Sequence, residues 1–157
     1  MHYEPVIFDA VDSQEKTIYH TNVMMAMIKN LVVICLSSIL EPQRAEIIKI
    51  LQDDSKTIID ISQDQVNHFC GNILYLEKDN GDGVIAMSSK AKASFSEGQL
   101  QLFRQVGQIV DVSIDTIEQI GGGGVRCMLA ENYFSQKAAS DQNKDNYKKR
   151  KLSDTSF

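Results

Sequence analysis

Ile73-Leu74-Tyr75-Leu76, then Asn80-Gly81-Asp82-Gly83, then Val84-Ile85-Ala86-Met87 is the stretch that decides how this chain folds. Two short apolar runs flank a turn built from residues that tolerate positive φ, which predicts an antiparallel hairpin. Downstream, Ser96 can cap a helix in which Leu100, Phe103 and Val106 line one side, and Ile109 to Ile114 returns as a strand. Upstream the same order occurs. Met24 to Met27 and Leu31 to Cys35 flank Lys29-Asn30, which reads as a tight hairpin turn. Glu41-Pro42 opens a helix, proline being suited to the first turn, with Ala45, Ile48 and Leu51 sharing a face. Asp53-Asp54-Ser55 ends it, and Thr57 to Ile61 reads as a strand. Strand, strand, helix, strand therefore appears twice, at a spacing of about fifty residues, near the upper limit of repeat periods. Val6-Ile7-Phe8 and Thr17-Ile18-Tyr19 are expected as further short strands. The pattern by itself also suits any α+β domain with two hairpins.

The bulk numbers bound the rest. A chain of 157 residues with a net charge of -5 is long enough for one modest domain with a real core. Its 43% hydrophobic and 24% charged residues lie in the ordinary soluble range. The acidic balance argues against general nucleic-acid binding. Val23 to Ile39, the longest apolar stretch, is broken by Lys29-Asn30 and Ser37-Ser38, so no membrane span is expected. Met1-His2-Tyr3-Glu4-Pro5 shows no secretory pattern. Three widely spaced cysteines, Cys35, Cys70 and Cys127, do not suggest a disulfide framework, and a reducing, cytoplasmic setting is the expectation. Residues 135–157 are rich in Lys, Asp, Asn, Ser and Gln and poor in apolar residues. They are expected to form a disordered polar tail after a folded unit over 1–134. Lys148-Lys149-Arg150-Lys151 reads as a solvated charge run in preference to an import signal or anionic-surface site.

The chemistry is concentrated at Gly121-Gly122-Gly123-Gly124-Val125-Arg126-Cys127. Four successive glycines make sense where backbone turns sharply or approaches a ligand closely. A phosphate loop would need Lys-Ser or Lys-Thr and a helix after the glycines; Val-Arg-Cys-Met-Leu, which reads as a strand, excludes it. Cys127, directly after the glycine turn, is a candidate nucleophile. A free thiol, with pKa about 8.5, is only a few per cent thiolate at neutral pH, so it needs help from a cation or an imidazole. The alternative is an inert buried cysteine. Of the three histidines, His20 follows a short apolar run and precedes Thr21-Asn22, a position suited to a site, and ranks modestly above His68. A zinc site from His68, Cys70 and another cysteine has no usual ligand spacing, and neither a metal nor a cofactor is expected.

Tyr19-His20-Thr21-Asn22-Val23-Met24-Met25, Phe69-Cys70-Gly71-Asn72-Ile73-Leu74, and Thr116-Ile117-Glu118 through Gly121 to Glu131 resemble, in order, the arginine deiminase-related amidinotransferase family. That family belongs to the guanidino-modifying superfamily, and the branch most similar to this chain includes citrulline hydrolases. The resemblance runs from about Val6 to Phe134. It implies an α+β pentein fold, an α/β-propeller of five strand-strand-helix-strand units, here a partial one matching the C-terminal half. It also implies that Cys127 is the nucleophile, that His20 is the general acid/base, and that Asn22 and Asn72 line the substrate site. Relatives often carry an acidic residue where this chain has Asn22, and a neutral amide suits a ureido group better than a guanidinium. Glu118 is expected as a structural partner near the glycine turn. Arg126 would face away from Cys127 if the segment were a strand.

The expected function is thus hydrolysis at the guanidino or ureido carbon of an arginine- or citrulline-like amino acid through a covalent Cys127 adduct. An N-terminal half, absent from this sequence, would supply acidic residues that clamp the substrate nitrogens. Either that half or a homo-oligomer would complete the propeller and cover its open edges. Two alternatives stand beside this: an inactive remnant that acts by binding, and an unrelated α+β interaction module with a chance glycine run.

Overall fold

The chain was described from a computed structural model over residues 4–130; the polar tail over 135–157 and its basic cluster lie outside the described residues. In chain order the elements are α1 (Thr21–Met24), β1 (Met25–Ile28), β2 (Leu31–Ile34), a 3-10 turn (Leu36–Ser38), α2 (Gln43–Asp53), β3 (Thr57–Asp60), α3 (Gln63–Asn67), β4 (Leu74–Glu77), β5 (Gly83–Ser88), α4 (Ser89–Ser94), α5 (Glu97–Val106), β6 (Gln108–Val112), α6 (Asp115–Gly121) and α7 (Val125–Met128).

Turn chemistry sets both hairpins. Lys29 takes φ 55° between β1 and β2, and Gly81 takes φ 84° between β4 and β5, as tight connections between antiparallel strands require. Each hairpin then receives a parallel third strand through a helical crossover. The result is two three-stranded sheets of identical topology, β1-β2-β3 and β4-β5-β6, each with one antiparallel and one parallel pair. The strand-strand-helix-strand repeat is present as the sequence reading had it. The two sheets meet through their first strands, β1 against β4. Between them lies the apolar core, with Met24, Ile28, Val32, Val33, Ile34, Ile73, Ile85, Met87 and Phe103 fully buried.

The crossover helices are placed by different means. In α5, Ser96 accepts from the Gln99 backbone N–H while the Gln99 side chain accepts from the Ser96 N–H, a reciprocal capping box. Leu100 and Phe103 point inward, and Phe103 packs edge-on to Phe95 with ring centroids 4.9 Å apart. In α2, Pro42 occupies the N-cap position without a side-chain cap. Its buried face is Ile47 and Leu51, with Ile48 half-buried and Ala45 exposed, so the expected Ala45–Ile48–Leu51 stripe is rotated by about one position.

Two expected strands are absent. Residues 6–8 and 17–19 form no strand; the segment is held instead by the isolated bridges Ala10–Ile39 and Val11–Thr17. The apolar side chains there have no neighbouring strand with which to pair, and Val6 and Ile7 are exposed. Met24, read as the start of a strand, closes the single helical turn α1 instead.

Candidate active site

Three segments remote in sequence converge on one point, and each has a backbone reason for being there. The first, His20–Val23, leads into β1 through α1, with His20 at the N-cap. The second, Phe69–Asn72, leads into β4. Gly71 lies so close to the first that a Cβ added to it would sit 2.3 Å from the Val23 carbonyl oxygen. Only glycine allows that approach. The third, Gly122–Cys127, follows α6, which Gly122 caps in the left-handed conformation at φ 68°. Gly124 is pressed against Asn72: an added Cβ would stand 2.9 Å from Asn72 Oδ1 and 3.2 Å from Phe69 Cβ.

Asn72 ties the three together. Its Nδ2 donates to the Asn22 carbonyl oxygen at 3.0 Å and to Cys127 Sγ at 3.2 Å. Its own carbonyl accepts from the Arg126 N–H at 3.4 Å. Cys127 N–H closes the helical turn onto the Gly124 carbonyl.

Residues 125–129, expected as a strand, form this one helical turn followed by an extended exit. The cause is the fixed Gly124–Asn72 contact, which turns the chain before a strand can begin. The face-alternation argument for Arg126 therefore lapses. Its guanidinium reaches back across the sheet to donate from Nη1 to the Met25 carbonyl at 3.3 Å, clamping the third segment to the first.

A cavity of about 320 Å³ opens at the junction, lined by residues that include Asp12, Tyr19, His20, Asn22, Asn72 and Cys127. All four residues singled out from the sequence, Cys127, His20, Asn22 and Asn72, thus share one cavity, of a size suited to a small ligand. Cys127 and His20 are exposed to it, and the His20 ring leans on Tyr19 with centroids 4.6 Å apart. Asn22 Oδ1 is buried and has no hydrogen-bond partner among the described residues.

Asp12 is the wall residue that sequence reading missed. Its carboxylate accepts from the Lys16 and Gln14 backbone N–H groups, at 3.0 and 2.8 Å. These bonds, Lys16 first, hold its pKa below the usual carboxylate value, so a fixed negative charge faces the cavity. The only sequence signal was an Asx-turn pattern, Asp-Ser-Gln, which reads as loop.

The other thiols differ from Cys127. Cys70 is fully buried, with Sγ 3.5 Å from the Ala91 carbonyl, and burial, aided by the Asp64 charge, pushes its pKa up to about 12. Cys35 is buried beside the Ser38 hydroxyl, 3.3 Å away. His68 lies outside the cavity wall, its Nδ1 2.8 Å from the Asp64 carbonyl. No group of three or more His, Cys, Asp or Glu able to hold a metal occurs among the described residues. Glu118 is 4% exposed on α6 with neither carboxylate oxygen paired among the described residues. No helix among them is long and apolar enough to cross a membrane.

Comparison with known proteins gives the same fold. The chain superposes on the apo structure of ArgZ, an arginine dihydrolase from the ornithine-ammonia cycle of cyanobacteria, with a TM-score of 0.57 and 12% identity, over 81% of this chain and 19% of that one. It superposes on AgrE, solved in a ternary complex with ornithine and NAD+, with a TM-score of 0.58 and 14% identity, over 83% of this chain and 17% of that one. The chain therefore spans under a fifth of the length of these two structures, and the shared architecture is a partial pentein, α+β and built from strand-strand-helix-strand units. No curated protein sequence matches the chain. Residues 1–134 match the family model described as N,N dimethylarginine dimethylhydrolase, eukaryotic, and the chain belongs to that family.

Proposed function

We propose that this chain carries the nucleophilic half-site of a hydrolase that acts on the guanidino or ureido carbon of an arginine- or citrulline-like amino acid. The observation that carries the reading is the convergence of Cys127, His20, Asn22 and Asn72 on one cavity, in a member of a family described by hydrolysis of dimethylarginine. The Cys127 thiolate attacks the central carbon of the substrate. The C–N bond to the departing amine then breaks as His20 gives that nitrogen its proton, leaving the carbon covalently bound to sulfur. Neutral His20 next takes a proton from water. The resulting hydroxide attacks the adduct, the C–S bond breaks, and the thiolate is restored.

Asn22 Oδ1, buried in the cavity wall without a partner, would accept from a substrate N–H, which repairs the cost of an unsatisfied polar atom. The fixed carboxylate of Asp12 suits a cationic end of the substrate. One carboxylate compensates one positive charge, so a zwitterionic substrate needs further groups. These would come from an N-terminal half or a second copy of the chain. Val110, Val112, Ile117 and Ile120, apolar and exposed, are surface that such a partner would cover.

The test is amine release from dimethylarginine, arginine and citrulline by the purified chain, with Cys127→Ala as control. Release that disappears in Cys127→Ala supports the reading. Equal background in both proteins, in the presence of a supplied N-terminal half as well as alone, overturns it and leaves a binding role.

A further inference from the structure

We propose that Asn72 is a positioning residue for the nucleophile, holding the Cys127 sulfur in its thiolate form against the segment that carries His20. The proposal rests on the reading of Cys127 as the nucleophile and assigns Asn72 to the enzyme's sulfur in place of the substrate.

The geometry leaves the Asn72 amide little else to do. A carboxamide nitrogen has two protons, and here both are committed: one to the Asn22 carbonyl at 3.0 Å, one to Cys127 Sγ at 3.2 Å. The side chain is held on all sides, being 3% exposed, with Gly124 packed against its oxygen and its backbone carbonyl engaged by Arg126. Its Oδ1 is buried without a partner among the described residues. A half-satisfied buried amide costs stability, and an apolar residue of similar size would avoid that cost. What the amide gives in return is a fixed donor aimed at sulfur.

The donor acts on one protonation state. A neutral thiol is a weak acceptor and a thiolate a strong one, so an N–H held at sulfur favours the charged form. An amide does not titrate in the accessible range, so it biases the sulfur without entering the proton transfers assigned to His20. It also fixes register. The same nitrogen holds the Asn22 carbonyl, two residues from His20, so nucleophile and acid/base are referred to one rigid point. Aspartate has the same shape but would place an acceptor and a negative charge beside the sulfur and lose both donated bonds.

The experiment is the pH profile of iodoacetamide alkylation at Cys127 in the full chain, quantified by peptide mass spectrometry, for the parent, Asn72→Asp and Asn72→Ala. The expected result is a profile displaced to higher pH in both variants, further in Asn72→Asp. At neutral pH the rate should fall roughly tenfold to a hundredfold, the range for losing a hydrogen bond to a charged group. Cys70, buried in the folded chain, reports folding in the same sample. If Asn72→Asp exposes Cys70, the uncharged Asn72→Ala carries the test. A folded variant whose profile coincides with the parent's overturns the proposal. The outcome is separable from that of the hydrolase reading. A displaced profile in a chain without turnover, alone and with a supplied N-terminal half, upholds the hold of Asn72 on the sulfur and counts against the hydrolase reading. An unmoved profile in a chain with turnover overturns the positioning role alone.

Discussion

The two sheets share a topology but not a burial pattern. In the first, all four residues of β2 are buried on both faces. In the second, the central strand β5 buries Ile85, Met87 and Ser88, but the outer strands do less: β4 has no fully buried residue, and β6 exposes Val110 and Val112 at 45% and 50%. Their crossover helices differ at the start: α2 begins at Pro42 without a side-chain cap, whereas α5 begins with a complete capping box. Both copies bury apolar side chains from strand and helix, Ile34 and Ile47 in one, Ile85 and Phe103 in the other, and they differ in how the crossover helix begins and how far the outer strands are covered. The cavity draws its walls from both copies. His20 and Asn22 lead into the first sheet, Asn72 leads into the second, and Asn72 stands fifty positions after Asn22. The repeat that builds the fold therefore also places equivalent strand lead-ins side by side, and Cys127 joins them from the segment that follows the second sheet.

The largest expected contrast is in packing. Ile34→Ala, in the fully buried strand, should cost about 2–5 kcal/mol of unfolding free energy, while Val110→Ala should stay within about 0.5 kcal/mol. Urea denaturation of both variants checks this, and comparable losses would break the distinction between the sheets.

A smaller effect is expected where the two copies are stitched together. Gln65 closes the capping box of α3 through its oxygen, and its Nε2 donates to the Ser94 carbonyl and to Gln99 Oε1, both at 2.9 Å. Gln99 closes the box of α5 and donates to the Asp60 carbonyl at 3.0 Å. Each single alanine variant should cost about 1 kcal/mol. A double-mutant cycle should give a coupling of at least about 0.5 kcal/mol. Strict additivity would mean that the boxes act independently.

The smallest effect concerns pH. Cys70 keeps its proton in the folded chain until about pH 12, against a reference value of 9.0. Its pKa is raised on folding, so its contribution is present below the reference value and is lost as pH rises from there towards 12. Cys70→Ala should therefore lose less stability than the parent between neutral pH and pH 10, whatever its stability at neutral pH. Parallel pH dependence of the two would contradict the assignment.

Much of this was legible in local chemistry. Lys29-Asn30 and Asn80-Gly81 marked the hairpins, Ser96 the start of α5, and the glycine run a close backbone approach, because turns, caps and such approaches select residue types directly; His20 stood out from His68 mainly through the family resemblance. Tertiary contacts decided the rest. Residues 125–129 look like a strand but are turned by the Gly124–Asn72 contact. Residues 6–8 and 17–19 have strand composition but no strand beside them. The buried face of α2 shifted to Ile47, since Ala45, Ile47 and Ile48 are all apolar and only the sheet beneath selects among them. Asp12 was invisible because a turn aspartate and a wall carboxylate have the same sequence signature, and only the fold brings that turn to the cavity.

The three converging segments should make Cys127 more reactive than an ordinary thiol towards a guanidino-like carbon. The most direct test is the rate of Cys127 labelling by 2-chloroacetamidine, read by peptide mass spectrometry in the folded chain and in the same chain unfolded in urea. Faster labelling is expected in the folded chain, with Cys35 and Cys70 slower there than when unfolded. Slower labelling of Cys127 in the folded chain would show a thiol that is merely shielded, and would contradict that expectation.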